Sequence, residues 1–243
     1  MDNSTYVALS RQMTLRRQLD IVANNIANAD TTGFKAEALL TNTEQRGPAK
    51  NAQVHHTARF VLDNGVSRNF GQGSLKQTGG DLDVAIEGEA FFTISTEDGD
   101  RYTRDGRFKL DPTGRLITQG GEAVLDEGGG EITLRREGSA PSIAADGTIS
   151  QDGQRVARLG VVRFDNLGAL SKTGEGRYLA DGAEPVPATG VPVRQGMLES
   201  SNVNPVLEVV NLIEVSRAYE RVTRMIDQTQ DLSRRAVDRL GKP

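Results

Sequence analysis

The chain has 243 residues, with 29 lysines and arginines against 33 aspartates and glutamates and a formal net charge of -4. That balance creates no field that would draw it to a phosphate backbone, which speaks against a nucleic-acid partner. There is no cysteine, so disulfides, thiolate metal sites and thiol nucleophiles are excluded, while 27 glycines beside 8 prolines point to many tight turns.

The N-terminal stretch "MDNSTYVALSRQMTLRR" lacks the basic start, apolar run and small-residue cleavage site of a secretory signal. No segment is long and apolar enough to span a bilayer. From the residues alone the expectation is a cytoplasmic chain. The first element is a helix: Ala8, Leu15, Leu19, Val22, Ile26 and Ala29 share one face, stepping alternately by four and three residues after Leu15. Tyr6, Leu9 and Met13 form a second stripe, roughly opposite. Three asparagines, Asn24, Asn25 and Asn28, crowd the end of this helix although their amides compete for backbone groups. Asn24 and Asn28 lie roughly opposite Val22 and Ile26, with Asn25 on the flank, so they offer uncharged donors and acceptors to a neighbouring chain. Gly33, after the β-branched pair Thr31 and Thr32, is expected to close the helix as a left-handed cap.

Residues 37–77 are polar and weakly periodic and read as an extended connection. His55 and His56 lie in it, and neighbours in an extended segment point in different directions, so they do not share a metal ion. Residues 78–199 read as an antiparallel, all-β domain. Its clearest strands fall in "LDVAIEG", "AFFTIST", "RYTRDGRFKL" and "RVARLGVVRFD", and turn dipeptides punctuate the whole stretch between the helices: Asn64-Gly65, Asp98-Gly99, Asp105-Gly106, Thr113-Gly114, Asp146-Gly147, Asp152-Gly153 and Asp181-Gly182. The acidic "TEDGDRY" lacks calcium-loop spacing, and "DEGGGE" and "GEGRYL" lack the phosphate-loop lysine. No serine sits in a nucleophile elbow, so neither catalysis nor a cofactor nor a metal has support in the sequence.

The last element is a second helix. Asn204 suits its cap, Pro205 its first position and Glu208 its positive end. Leu212, Val215, Tyr219, Val222 and Ile226 carry its main stripe, continuing weakly through Thr229, Ser233, Ala236 and Leu240, while Val206, Val210 and Ile213 lie on the other side. The fold class is therefore α+β: terminal helices from 1–36 and 200–243 forming a coiled-coil-like domain, with a central β domain. Two uses of the helices stay open, pairing within the chain and packing against other copies. The second stripe favours assembly, because one narrow seam suffices for a simple pair.

The stretch "ANNIANADTTGFKA" closely resembles the N-terminal signature of the bacterial flagellar rod and hook family. "GGDLDVAIEGEAFFTI" with "YTRDGRFKLDPTGRLITQGGEAVL" resembles its central core, and "GMLESSNVNPVLEVVNLIEVSRAYE" its C-terminal signature. The opening "MDNSTYVALSRQ" most resembles the proximal-rod members, with the distal-rod members as near alternative. The resemblance implies a structural rod subunit with no catalytic site and no cofactor. Its implied partners are other rod proteins, the distal rod protein among them, and the flagellar type III export apparatus, with no nucleic acid and no direct membrane insertion. It overturns the cytoplasmic expectation: such proteins are exported without a cleaved signal peptide and stand in the periplasm-spanning rod of the basal body.

Position by position, Asn24, Asn25, Asn28, Thr31, Gly33 and Phe34 match the first signature. Ser201, Asn202, Val203, Asn204, Ile213, Arg217, Tyr219 and Glu220 match the last, with Ser216 where a glutamine is common. With the main stripes, the expected assembly interface comprises Leu15, Leu19, Val22, Asn24, Asn25, Ile26, Asn28, Thr31, Gly33, Phe34, Asn202, Asn204, Val215, Arg217, Tyr219, Val222 and Ile226. The alternative of another class, a soluble ligand-binding or enzymatic β domain with accessory helices, lacks a site in the sequence.

Overall fold

The computed structural model describes residues 3–46 and 58–240, so His55 and His56 lie outside the described residues. The chain is α+β and divides into two compact units, one of residues 1–27, 37–68 and 204–243, the other of residues 28–36 and 69–203. These boundaries differ from those expected. The Asn28–Ala36 stretch and residues 200–203 group with the β unit, and most of the expected connection groups with the helices.

The helical unit holds α1 (Asn3–Ala27), β1 (Glu37–Arg46), β2 (Ala58–Arg68) and α2 (Pro205–Leu240). Its two strands form an antiparallel ribbon, with Glu37 opposite Arg68 and Leu39 opposite Val66. Asn64-Gly65, read from the sequence as a hairpin turn, is instead part of β2, where the register slips between Leu39 and Thr41. Gly65 supplies the positive φ of 104° at that bulge. Both helices pack side by side and α1 also lies against the ribbon. At the start of α2, Asn204 Oδ1 accepts from the Val206 and Leu207 amides at 3.1 and 3.2 Å, the cap its sequence led us to expect.

The β unit runs through β3 (Leu75–Gln77), β4 (Val84–Ile86), β5 (Phe91–Thr96), β6 (Gly99–Thr103), β7 (Lys109–Leu110), β8 (Leu116–Ile117) and β9 (Ala123–Val124). It continues with β10 (Ser142–Ile143), β11 (Thr148–Gln151), β12 (Gln154–Arg158), β13 (Val161–Arg163), β14 (Leu170–Gly174), β15 (Arg177–Ala180), β16 (Val186–Pro187), β17 (Val193–Gln195) and β18 (Met197–Glu199). The largest sheet follows the order β14-β15-β6-β5-β9-β8-β7, and every strand pair is antiparallel. Because successive side chains alternate across a strand, Phe91 and Phe92 of β5 enter two different cores. Phe92 packs edge-on to Phe108 at 5.1 Å among Val84, Ile86, Ile94, Leu116 and Val124. Phe91 meets Phe164 and Tyr178 in the smaller, aromatic cluster. Asp152 and Gly153, at φ 53° and 73°, make the two-residue connection that joins Gln151 to Gln154.

Candidate assembly surface

The main stripes of the two helices face inward within the chain. Ala8, Leu15 and Val22 of α1 and Val215 of α2 are buried, and Leu19, Ile26, Tyr219, Val222 and Ile226 are half-buried. Gln12 Nε2 donates to Thr223 Oγ1 at 3.0 Å from one helix to the other. The second stripes behave differently. Met13 is 66% exposed and Leu9 nearly half, while on α2 Val206 is 72% exposed, with Val210 and Ile213 close to half. Apolar side chains at helical spacing are thus left in water on both helices, which a chain complete in itself would bury. Beside Met13 a groove of about 800 Å³ runs past Arg16, Asp20, Ile21 and Asn24 to Val66 of the ribbon.

The asparagines divide by role. Asn25 is 1% exposed, and its amide copies a backbone pairing: Nδ2 donates to the Glu37 carbonyl at 2.8 Å and Oδ1 accepts from the Glu37 N–H at 2.9 Å. It ties the end of α1 to the start of β1 inside one chain, where the sequence had offered it to a neighbour. Asn24, by contrast, is exposed. Asn28 Oδ1 accepts from the Thr31 hydroxyl at 3.2 Å in the turn that follows α1. Asn202 is also used internally: Oδ1 accepts from the Ala36 N–H, and Nδ2 donates to the carbonyls of Asn69 and Gly71.

Gly33 has the left-handed backbone expected of it, φ 68°, but stands six residues beyond the helix end at Ala27 and so does not cap it. Its requirement is steric as well. A Cβ there would lie 2.6 Å from the carbonyl carbon of Arg104, and its N–H donates to the Glu199 carbonyl at 2.8 Å. Phe34 is buried beneath the Lys172 ammonium, 4.7 Å from the ring centre. Of the expected interface residues, then, Leu15, Val22, Asn25, Gly33, Phe34 and Val215 serve the fold of the single chain, and Asn24 and Arg217 reach solvent. Leu9, Met13, Val206 and Val210 belong to the bare face yet were left out of the expected set, although their spacing had marked them as a stripe.

In one pocket of the β unit, of about 430 Å³ and lined by residues of the Asn28–Phe34 turn and of the large sheet, Arg107 pairs with Asp105 at 2.7 Å and Arg177 with Glu122 and Glu175. Among the described residues no group of three acidic or histidine side chains could hold a metal ion, and no helix is long and apolar enough to cross a membrane.

Residues 6–35 match the family described as "Flagella basal body rod protein", residues 85–151 the "Flagellar hook protein FlgE/F/G D1 domain" and residues 194–239 the "Flagellar basal body rod FlgEFG protein C-terminal". The "Flagellar basal-body rod protein FlgF" of Caulobacter vibrioides is 54% identical over 243 residues, covering 100% of this chain and 99% of that protein. The FlgF protein of Mesorhizobium japonicum is 39% identical over 99% of each chain. The "Flagellar basal-body rod protein FlgG" of Bacillus subtilis is more distant, at 31% over 98% of this chain and 99% of its own length.

Proposed function

The chain belongs to the flagellar basal-body rod protein family, in its FlgF branch, and we propose that it joins the rod through the face its two helices leave bare. It is a structural protein and not an enzyme. The observation that carries the proposal is the pair of exposed apolar stripes, Leu9 with Met13 on α1 and Val206, Val210 with Ile213 on α2. In water each costs free energy, and burying them against neighbouring subunits recovers it. The inward stripes then hold the two helices together within a subunit, and the outward ones hold subunits together.

Its partners on this reading are further rod proteins, including the distal rod protein. It reaches them through the flagellar type III export apparatus and takes a proximal place in the periplasm-spanning rod. Family membership supports this part of the reading, and the net charge of -4 is in keeping with protein rather than nucleic-acid neighbours. The absence of native cysteine gives a clean test. A thiol introduced as Met13→Cys or Val210→Cys is expected to react with maleimide in the purified chain and to be shielded in isolated basal bodies. Equal labelling in both would refute assembly through this face.

A further inference from the structure

Deep in the β unit three charged side chains from remote parts of the sequence meet. Lys35, in the segment that follows α1, and Glu199, at the end of β18, are each 1% exposed, and Arg104, just after β6, is nearly as buried. Lys35 Nζ donates to Glu199 Oε1 at 2.6 Å and to the Gly71 carbonyl at 2.8 Å. Oε1 also accepts from the Gly73 N–H at 2.8 Å. Arg104 Nε donates to Glu199 Oε2 at 2.7 Å, while its Nη2 lies 2.6 Å from the same oxygen but out of line for a hydrogen bond. The remaining nitrogen, Nη1, donates to the carbonyls of Gly88 and Ala90.

Two cations thus share one carboxylate. Burial pushes both Lys35 and Arg104 down from their ordinary values, and Glu199 opposes the effect in each case; the exposed Glu89 helps through space. Such a network is unequal in its parts. Removing Lys35 leaves a neutral Arg104–Glu199 pair, whereas removing the charge of Glu199 leaves two buried cations without their contact anion.

The backbone around the network repeats the connection. Gly33 N–H donates to the Glu199 carbonyl, Asn202 N–H to the Phe34 carbonyl, and Ala36 N–H to the Asn202 side chain. Ser200 N–H donates to the Ser74 carbonyl. The first stretch of the β unit, residues 31–36, and its last, residues 199–203, are therefore laced to each other as well as to the rest of the unit.

We propose that Lys35, Arg104 and Glu199 form a clasp that makes these two segments, residues 31–36 and 199–203, a single cooperative element, set or released together. A disturbance arriving along either terminal helix would then be felt at the root of the other. The proposal concerns the lone subunit and does not depend on which face enters an assembly.

Hydrogen exchange on the purified full-length chain tests it, with the amides of Gly33 and Ala36 reporting on the first segment, Ser200 and Asn202 on the second, and Phe92 and Ile94 on the core. In Glu199→Gln both reporter sets are expected to exchange at least tenfold faster and by the same factor, with the core amides unchanged. In Lys35→Met both sets are again expected to move together, by a smaller factor of about three. Acceleration of one set alone in either variant would overturn the proposal, and so would a Lys35→Met effect as large as that of Glu199→Gln. Should Glu199→Gln fail to fold, Lys35→Met decides: equal acceleration at the two segments supports the clasp, and unequal acceleration or none at all refutes it.

Discussion

The two sides of α2 should fail in different ways when charged. Val215 is 7% exposed and Val210 48%, and five residues along a helix set them roughly 140° apart. Val215→Asp gives up a buried aliphatic contribution of roughly 1.5 to 3 kcal/mol and places an unpaired carboxylate in the inward seam, for a total of at least about 4 kcal/mol. At about 2 to 4 °C per kcal/mol for a chain of this size, the helical transition should fall by on the order of 10 °C. Val210→Asp gives up only about half the aliphatic term, near 1 kcal/mol, and its carboxylate stays in water. Its melting curve should shift by no more than about 4 °C. Circular dichroism at 222 nm on the purified chains reads both values, and electron microscopy of basal bodies from cells carrying each variant reads assembly. Val210→Asp should melt nearly like the unaltered chain and be absent from rods. Val215→Asp should lose stability and assembly alike. An unshifted melt for Val215→Asp would mean that the seam does not form in the lone chain, and normal rods built with Val210→Asp would remove the bare face from the interface.

Asn25→Ala takes away both the acceptor for the Glu37 N–H and the donor to its carbonyl, at an expected cost of about 2 to 3 kcal/mol. Exchange of the Glu37 amide should rise with it, and a variant as stable as the parent would show the amide pairing to be idle. Asp111 is held well below the usual carboxylate range, chiefly by the Thr113 hydroxyl and then by Arg115. A depressed value means stability that is present above the unfolded value near 4 and is lost as pH falls towards the folded one. Asp111→Asn should therefore be less stable than the parent at pH 7, with the gap in denaturant midpoint narrowing below about pH 4. A gap constant from pH 7 to pH 2 would contradict this.

What could be read from the sequence was what local chemistry decides. The Asn204 cap, the Asp152-Gly153 connection and the two stripes on each helix all rest on residues within a few positions of one another, and the expected Asp98-Gly99 turn is displaced by only one residue, to Glu97-Asp98. β1 was missed because "EALLTNTEQR" shows no sustained alternation of apolar and polar residues, and only its pairing with β2 makes it a strand. Asn64-Gly65 has the composition of a tight turn, and only its partner strand shows that it is a bulge. Asn25 drew notice, but the group that satisfies it lies twelve residues further on, beyond any helical period. Lys35, Arg104 and Glu199 each stand in one of the three quoted signatures, but nothing local says that they meet, since single charges in a polar context read as surface and the partners of Glu199 are 164 and 95 residues away.

The way the helical unit is stitched from three separated stretches bears on the order in which the chain can fold. Gln12 and Thr223, which meet within it, are 211 residues apart, and closing a flexible loop of that length costs roughly 5 kcal/mol in chain entropy. The hairpin of β5 and β6, by comparison, closes through Glu97 and Asp98 alone. Contacts so close in sequence form early, and the remote ones wait for them. Once the β unit has folded it holds Ala36 beside Asn202, 2.8 Å from backbone nitrogen to side-chain oxygen, and most of the long loop has been drawn in. The helical pair is thereby expected to close last, so that the bare face proposed above for assembly comes into being only after the rest of the subunit is finished.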